Sequence, residues 1–147
     1  VLSDKFKVHD IHRVYTAIVY NQFATDEGTI NKPVARHKTD RKKMAIDSNG
    51  RHAVTHYRVI ERLKQNFSLV ECELETGRTH QIRVHMASIN HPLLGDEVYG
   101  PKQKPFATQG QVLHAGVLGF DHPITGEYME WHADLPDYFQ GILKRLR

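Results

Sequence analysis

In the stretch HRVYTAIVY (12–20), apolar residues fall on both parities. Val14, Ile18 and Tyr20 share one side, and Tyr15, Ala17 and Val19 the other. That pattern predicts a central strand covered on both faces. NQFATDEGTINKP then breaks the pattern with Gly28 and Pro33, and the following ARHKTDRKKM reads as a basic loop. Asn49-Gly50 marks a turn. AVTHYRVIERL (53–63) and FSLVECELE (67–75) read as two strands, joined as a hairpin across Lys64, Gln65 and Asn66. Gly77 ends the second strand. Residues 79–89 fit a helix, with Ile82, Met86 and Ile89 at i, i+4 and i+7. HPLLGDEVYGPKQKP is a loop punctuated by Gly and Pro. QVLHAGVLGF (111–120) and EYMEWHA (127–133) form a second hairpin across HPITG, and Asp137 caps a last helix whose face is Phe139, Ile142, Leu143 and Leu146. The fold class is α+β, a mixed, largely antiparallel sheet flanked by helices, in one domain spanning residues 1–147.

Composition narrows this picture. A chain of 147 residues with 39% hydrophobic and 25% charged residues is long enough for a real core and is not a disordered chain. No run of 18 apolar residues occurs, so no membrane partner or span is expected. The one cysteine, Cys72, excludes an internal disulfide and an all-cysteine metal site. It shares strand parity with Val70 and Leu74, so it reads as a buried strand residue. One thiol fits a reducing compartment, and a cytoplasmic location is expected.

Charge is unevenly spread. The net charge is +3, yet residues 1–65 carry 13 Lys/Arg against 7 Asp/Glu, while residues 66–147 carry 7 against 10. A basic half points to an anionic partner, nucleic acid being the commonest, with a solvated basic face as the alternative. The chain begins VLSDKFKVHD without an initiator Met. Leu2, Phe6 and Ile11 look like the end of an amphipathic helix, so a piece of something longer is expected.

The densest polar chemistry is TGRTHQIRVHM (76–86). With Ile82, Met86 and Ile89 facing the core, Arg83 lies about 100° round the helix from Ile82. His80, three residues before Arg83, is on nearly the same side. An arginine at the rim of a buried face needs an acid or a phosphate. The competing reading is a surface arginine on an amphipathic helix. A metal site does not fit: His80 and His85 are five apart, and the 11 histidines are scattered. No G-x-S-x-G elbow, P-loop or G-x-G-x-x-G is present.

TGRTHQIRVHMASINHPLLGDEVYG resembles the signature of the RluA-type RNA pseudouridine synthases. HRVYTAIV is similar to that family's second motif, in which a tyrosine follows a basic residue by two positions. RHKTDRKKMAI, AVTHYRVIER and LHAGVLGFDHPITGE fall in the family's order and spacing. The resemblance implies the pseudouridine synthase catalytic fold and an enzyme that isomerises specific uridines in ribosomal or transfer RNA. The glycosidic N–C bond is broken, the base turns, and a C–C bond is made, with no cofactor and no metal. A monomer is expected of the full-length enzyme.

The family's catalytic aspartate belongs to a His-Arg-Leu-Asp motif that these 147 residues do not contain. In the family it lies tens of residues before the tyrosine motif, so this chain is expected to be the C-terminal part of a catalytic domain, inactive alone. Two family residues carry over. Tyr15 matches the tyrosine that stacks on the target base, a flat apolar face with one polar handle. Arg83 matches the arginine that pairs with the catalytic aspartate and keeps it ionised. Without that aspartate, Arg83 is expected to be unpaired, at a cost in stability. Arg36, Lys38, Arg41, Lys42 and Lys43 are candidate phosphate contacts. Arg78 and His80, with Gln81, are expected to support the pocket or the RNA backbone. The alternatives are a non-catalytic RNA-binding fragment or truncated relative, and a plain structural fragment with neither activity nor RNA affinity.

Overall fold

A computed structural model describes residues 12–102, 108 and 110–147. The expected half helix at 1–11 and part of the 91–105 loop lie outside the described residues. Six strands form one sheet in the order β2-β5-β6-β1-β7-β8: β1 (His12–Tyr20), β2 (Glu27–Asn31), β5 (Val54–Arg62), β6 (Phe67–Leu74), β7 (Leu113–Asp121) and β8 (Tyr128–His132). β3 (Val34–Arg36) and β4 (Met44–Ile46) make a separate small hairpin. Helix α1 spans Gln81–Ser88 and α2 spans Asp137–Leu146. Every strand pairing among the described residues is antiparallel, so the parallel component of the expected mixed sheet is not seen there.

β1 is central, between β6 and β7, as its two-sided apolar pattern predicts. One face carries Ala17, Val19, Val70, Cys72 and Leu74 under Ile82 and Met86 of α1. The other carries Ile18 and Leu69 under Phe139, Ile142, Leu143 and Leu146 of α2. Cross-strand neighbours share a face, so pairing Tyr15 with Cys72 sets Tyr15 on the α1 side. The β5–β6 hairpin turns through Gln65 and Asn66, both at positive φ.

Four expectations are corrected. EGTIN is a strand and not a break. It pairs with β5 at the sheet edge, buries Ile30, and Gly28 leaves room for Tyr57, whose hydroxyl a Cβ would meet at 2.5 Å. The basic segment is a hairpin and not a loop, because Val34 and Met44 at its base pack with Ala53, Val84 and Tyr99. Helix α1 begins at Gln81 and not at residue 79, since His80 is left-handed at φ 55°. It also buries Gln81, Val84 and His85 besides Ile82 and Met86, being enclosed by the sheet and the β3–β4 hairpin. Asp137 is the first residue of α2, and Pro136 occupies the cap position without a side-chain bond. Asp137 can act there only through its charge near the helix N-terminus.

Candidate active site

The turn into α1 is built by one buried amide. Gln81 Oε1 accepts from the Thr76 hydroxyl at 2.7 Å and the Arg78 N–H at 2.9 Å. Its Nε2 donates to the Val54 carbonyl and the Thr55 hydroxyl, both at 3.0 Å. All four polar positions of the amide are used, so the segment TGR is tied to both β5 and the helix. Thr55 then bonds His85 Nδ1 at 2.8 Å, and His85 Nε2 lies 2.9 Å from the Lys32 carbonyl. A carbonyl only accepts, so the proton is on Nε2 and Nδ1 accepts from Thr55. Burial lowers the His85 pKa, against the opposing pull of the Lys32 carbonyl.

Arg83 is ion-paired, contrary to the expectation from sequence. Its Nε donates to Asp96 Oδ2 at 2.8 Å and its Nη2 to Oδ1 at 3.1 Å. The Asp96 side chain is fully buried, and Arg83 is 13% exposed. Asp96 Oδ1 also accepts the N–H groups of Val98 and Tyr99. The acid comes from the turn after the buried Leu93-Leu94 pair. Gly95 enters it at φ 82°, where a Cβ would lie 2.2 Å from the Gly110 carbonyl. The hydrogen bond to Asp96 raises the Arg83 pKa, so the guanidinium stays charged. Nη1 is not part of the Asp96 fork.

Tyr99 links this ion pair to the basic hairpin. Its ring lies 5.0 Å from the Arg83 guanidinium carbon. Its hydroxyl accepts the Met44 N–H at 2.8 Å and bonds His80 Nδ1 at 2.8 Å. Burial, followed by the nearby Arg83 cation, lowers the His80 pKa.

Above this network is a cavity of about 340 Å³, lined by Tyr15, Leu74, Arg78, His80, Gln81, Ile82, Arg83, Gln111 and Leu113. Four residues expected from sequence therefore meet in one place: Tyr15, Arg83, Arg78 and His80. Arg78 is held by its Nε donating to the His52 carbonyl at 2.8 Å. None of the five basic residues of the hairpin lines this cavity, although the Arg36 charge reaches the lining residue His80. Arg36 and Lys38 line a second cavity of about 470 Å³ with Asp47. Arg36 reaches the Arg41 carbonyl and Arg41 the His37 carbonyl, which folds the run back on itself. Lys42 is exposed and Lys43 half-buried.

The family model described as RNA pseudouridylate synthase matches residues 1–88, which run from before β1 to the end of α1. This chain belongs to the RNA pseudouridylate synthase family. It is 54% identical over 137 residues to a Bacillus subtilis (strain 168) protein named uncharacterized RNA pseudouridine synthase YlyB, covering 93% of this chain and 45% of that protein. It is 49% identical over 154 residues to ribosomal large subunit pseudouridine synthase D of Zymomonas mobilis, covering 99% of this chain and 48% of that one. The chain thus spans about half the length of the curated relatives it matches. Among solved structures it resembles human RNA pseudouridylate synthase domain containing 1, with a TM-score of 0.79 and 28% identity over 96% of this chain and 60% of that one.

Asp96 and Tyr99 are the site residues that reading the sequence missed. The signal was present: an acid and a tyrosine in GDEVYG, between two glycines and directly after two leucines, in a segment read as a loop and as the end of the family signature, with no role given to either residue.

Proposed function

We propose that this chain is the C-terminal part of the catalytic domain of an RNA pseudouridine synthase that acts in the cytoplasm on uridines of ribosomal RNA. One observation carries the reading: Tyr15 and Arg83, the two positions matched to family active-site residues, line one cavity. The names of the relatives, ribosomal large subunit pseudouridine synthase D among them, favour ribosomal over transfer RNA.

A uridine flipped out of its stack enters the cavity and lays its ring on Tyr15. Leu74, Ile82 and Leu113 supply apolar wall, and a dry wall strengthens each polar contact. Arg83 presents Nη1, held by Asp96 on its other edge. The aspartate that attacks or stabilises the sugar belongs to the family's upstream motif, and Nη1 is the donor left to keep it ionised. The isomerisation then breaks the N1–C1′ bond, turns the base, joins C5 to C1′ and releases the proton from C5, while N1, which kept the bonding pair, takes up a proton. Arg36, Lys38, Arg41, Lys42 and Lys43 bind phosphates away from the reacting base.

The test is tritium release from ribosomal RNA made with 5-tritiated uridine, using the full-length gene product. Release is expected, and Arg83→Ala is expected to lower it by at least ~100-fold. Salt-dependent RNA binding with no release by the full-length protein would overturn the enzymatic reading in favour of an RNA-binding protein.

A further inference from the structure

Arg13 is the basic residue two positions before Tyr15. Along one strand such residues leave the same face, about 7 Å apart. Arg13 therefore shares the α1 side of the sheet with the cavity. Its neighbour across β7 is Leu118, and Leu74 follows the Val14–Glu73 pair on β6. The guanidinium rests against Gly77, where a Cβ would lie 2.4 Å from Nη1. Its Nε is buried and has no hydrogen-bond partner. The nearest acid by register, Glu73, is on the other face and faces His12 at 3.4 Å.

The buried Nε has no acceptor among the described residues, so its lost hydration is not made good by the described fold. No described residue supplies the guanidinium with a counter-ion. Arg83 is neutralised by Asp96, and Arg78 Nε is spent on a carbonyl, so of these three arginines on the α1 side Arg13 has the least internal engagement. Arginine's planar fork suits a phosphate. The offset of about 7 Å from Tyr15 is on the scale of the distance from a base to the phosphate of its own nucleotide. We propose that Arg13 binds the backbone phosphate of the target nucleotide, the one whose base lies on Tyr15. This rests on the reading of the cavity as a uridine-modifying site.

The experiment uses the full-length gene product and a ribosomal RNA fragment containing the converted uridine, with either its normal phosphate or an uncharged methylphosphonate at that nucleotide. Wild type is expected to bind the uncharged RNA about 10-fold more weakly than the normal one, and Arg13→Gln to bind normal RNA about 10-fold more weakly than wild type does. Combining the two changes should cost nothing further, because both remove one contact. The salt dependence of Arg13→Gln should be shallower by about 0.7. If the two losses multiply to about 100-fold while wild type converts the uridine normally, the Arg13 assignment alone is overturned. Normal RNA binding by Arg13→Gln with a lowered Tm also overturns it, since the arginine is then structural. Arg13→Lys is measured alongside in case the glutamine variant does not fold. It is expected to retain the phosphate dependence, and loss of that dependence counts against the assignment. No conversion of any ribosomal RNA uridine by wild type overturns the activity and this inference together.

Discussion

Asp96 grips Arg83 along one edge of the guanidinium, Nε and Nη2, with both carboxylate oxygens and in near-complete isolation from water. The pair spans 13 residues and joins a turn to a helix that no strand pairing connects. Replacing Asp96 with Asn strands a buried cation, an error that costs about 3 kcal/mol. For a chain of this length that corresponds to a Tm lower by roughly 10 °C. Adding Arg83→Gln to Asp96→Asn should cost less than Arg83→Gln does alone. Strictly additive losses in thermal or urea unfolding would show that the two side chains are not coupled.

His85 makes stability depend on pH. Burial depresses its folded-state pKa below the unfolded value of about 6.5. The unfolded chain then binds more protons in the window between those two values. The neutral ring's contribution is complete above about pH 6.5 and is lost as the pH falls toward the folded-state pKa. Urea unfolding between pH 7.5 and 5 should show falling stability. His85→Gln, though less stable throughout, should show a flatter dependence. An equally steep profile in that variant would place the effect elsewhere, His80 being the next group depressed by burial.

Lys42 and Lys43 directly precede β4 in the β3–β4 hairpin and do not line the cavity. Changing both to Gln should weaken RNA binding about equally for all sequences and flatten the log–log salt plot by about 1.4. The rate of conversion at saturating RNA should stay within about twofold. An unchanged salt slope would mean the run is only a solvated surface.

The elements that bury a repeating apolar face were legible. β1, the β5–β6 hairpin and α2 announce themselves by parity or helical spacing, and each is found where that spacing puts it. β2 was hidden because an edge strand with one buried residue, Ile30, carries almost no pattern. The site was half legible. Tyr15, Arg78, His80 and Arg83 lie in motifs compact enough to read, and they do meet. Asp96 reaches Arg83 only through tertiary folding, and one of two adjacent acids in a Gly-flanked loop has no periodicity to betray it. The expected unpaired Arg83 followed from looking for one particular acid and overlooking another 13 residues away.

Cys72 has a use that its inertness confers. It is fully buried, its thiol is pushed up to about 12 by burial, and it is paired across the sheet with Tyr15 on one side and Tyr57 on the other. A thiol reagent meets it only when β6 parts from its neighbours. As the chain holds no other cysteine, the labelling rate is a clock for opening of the strands behind the cavity, read without any engineered probe. RNA that settles on Tyr15 would slow that clock, turning a silent core residue into a gauge of occupancy at the site.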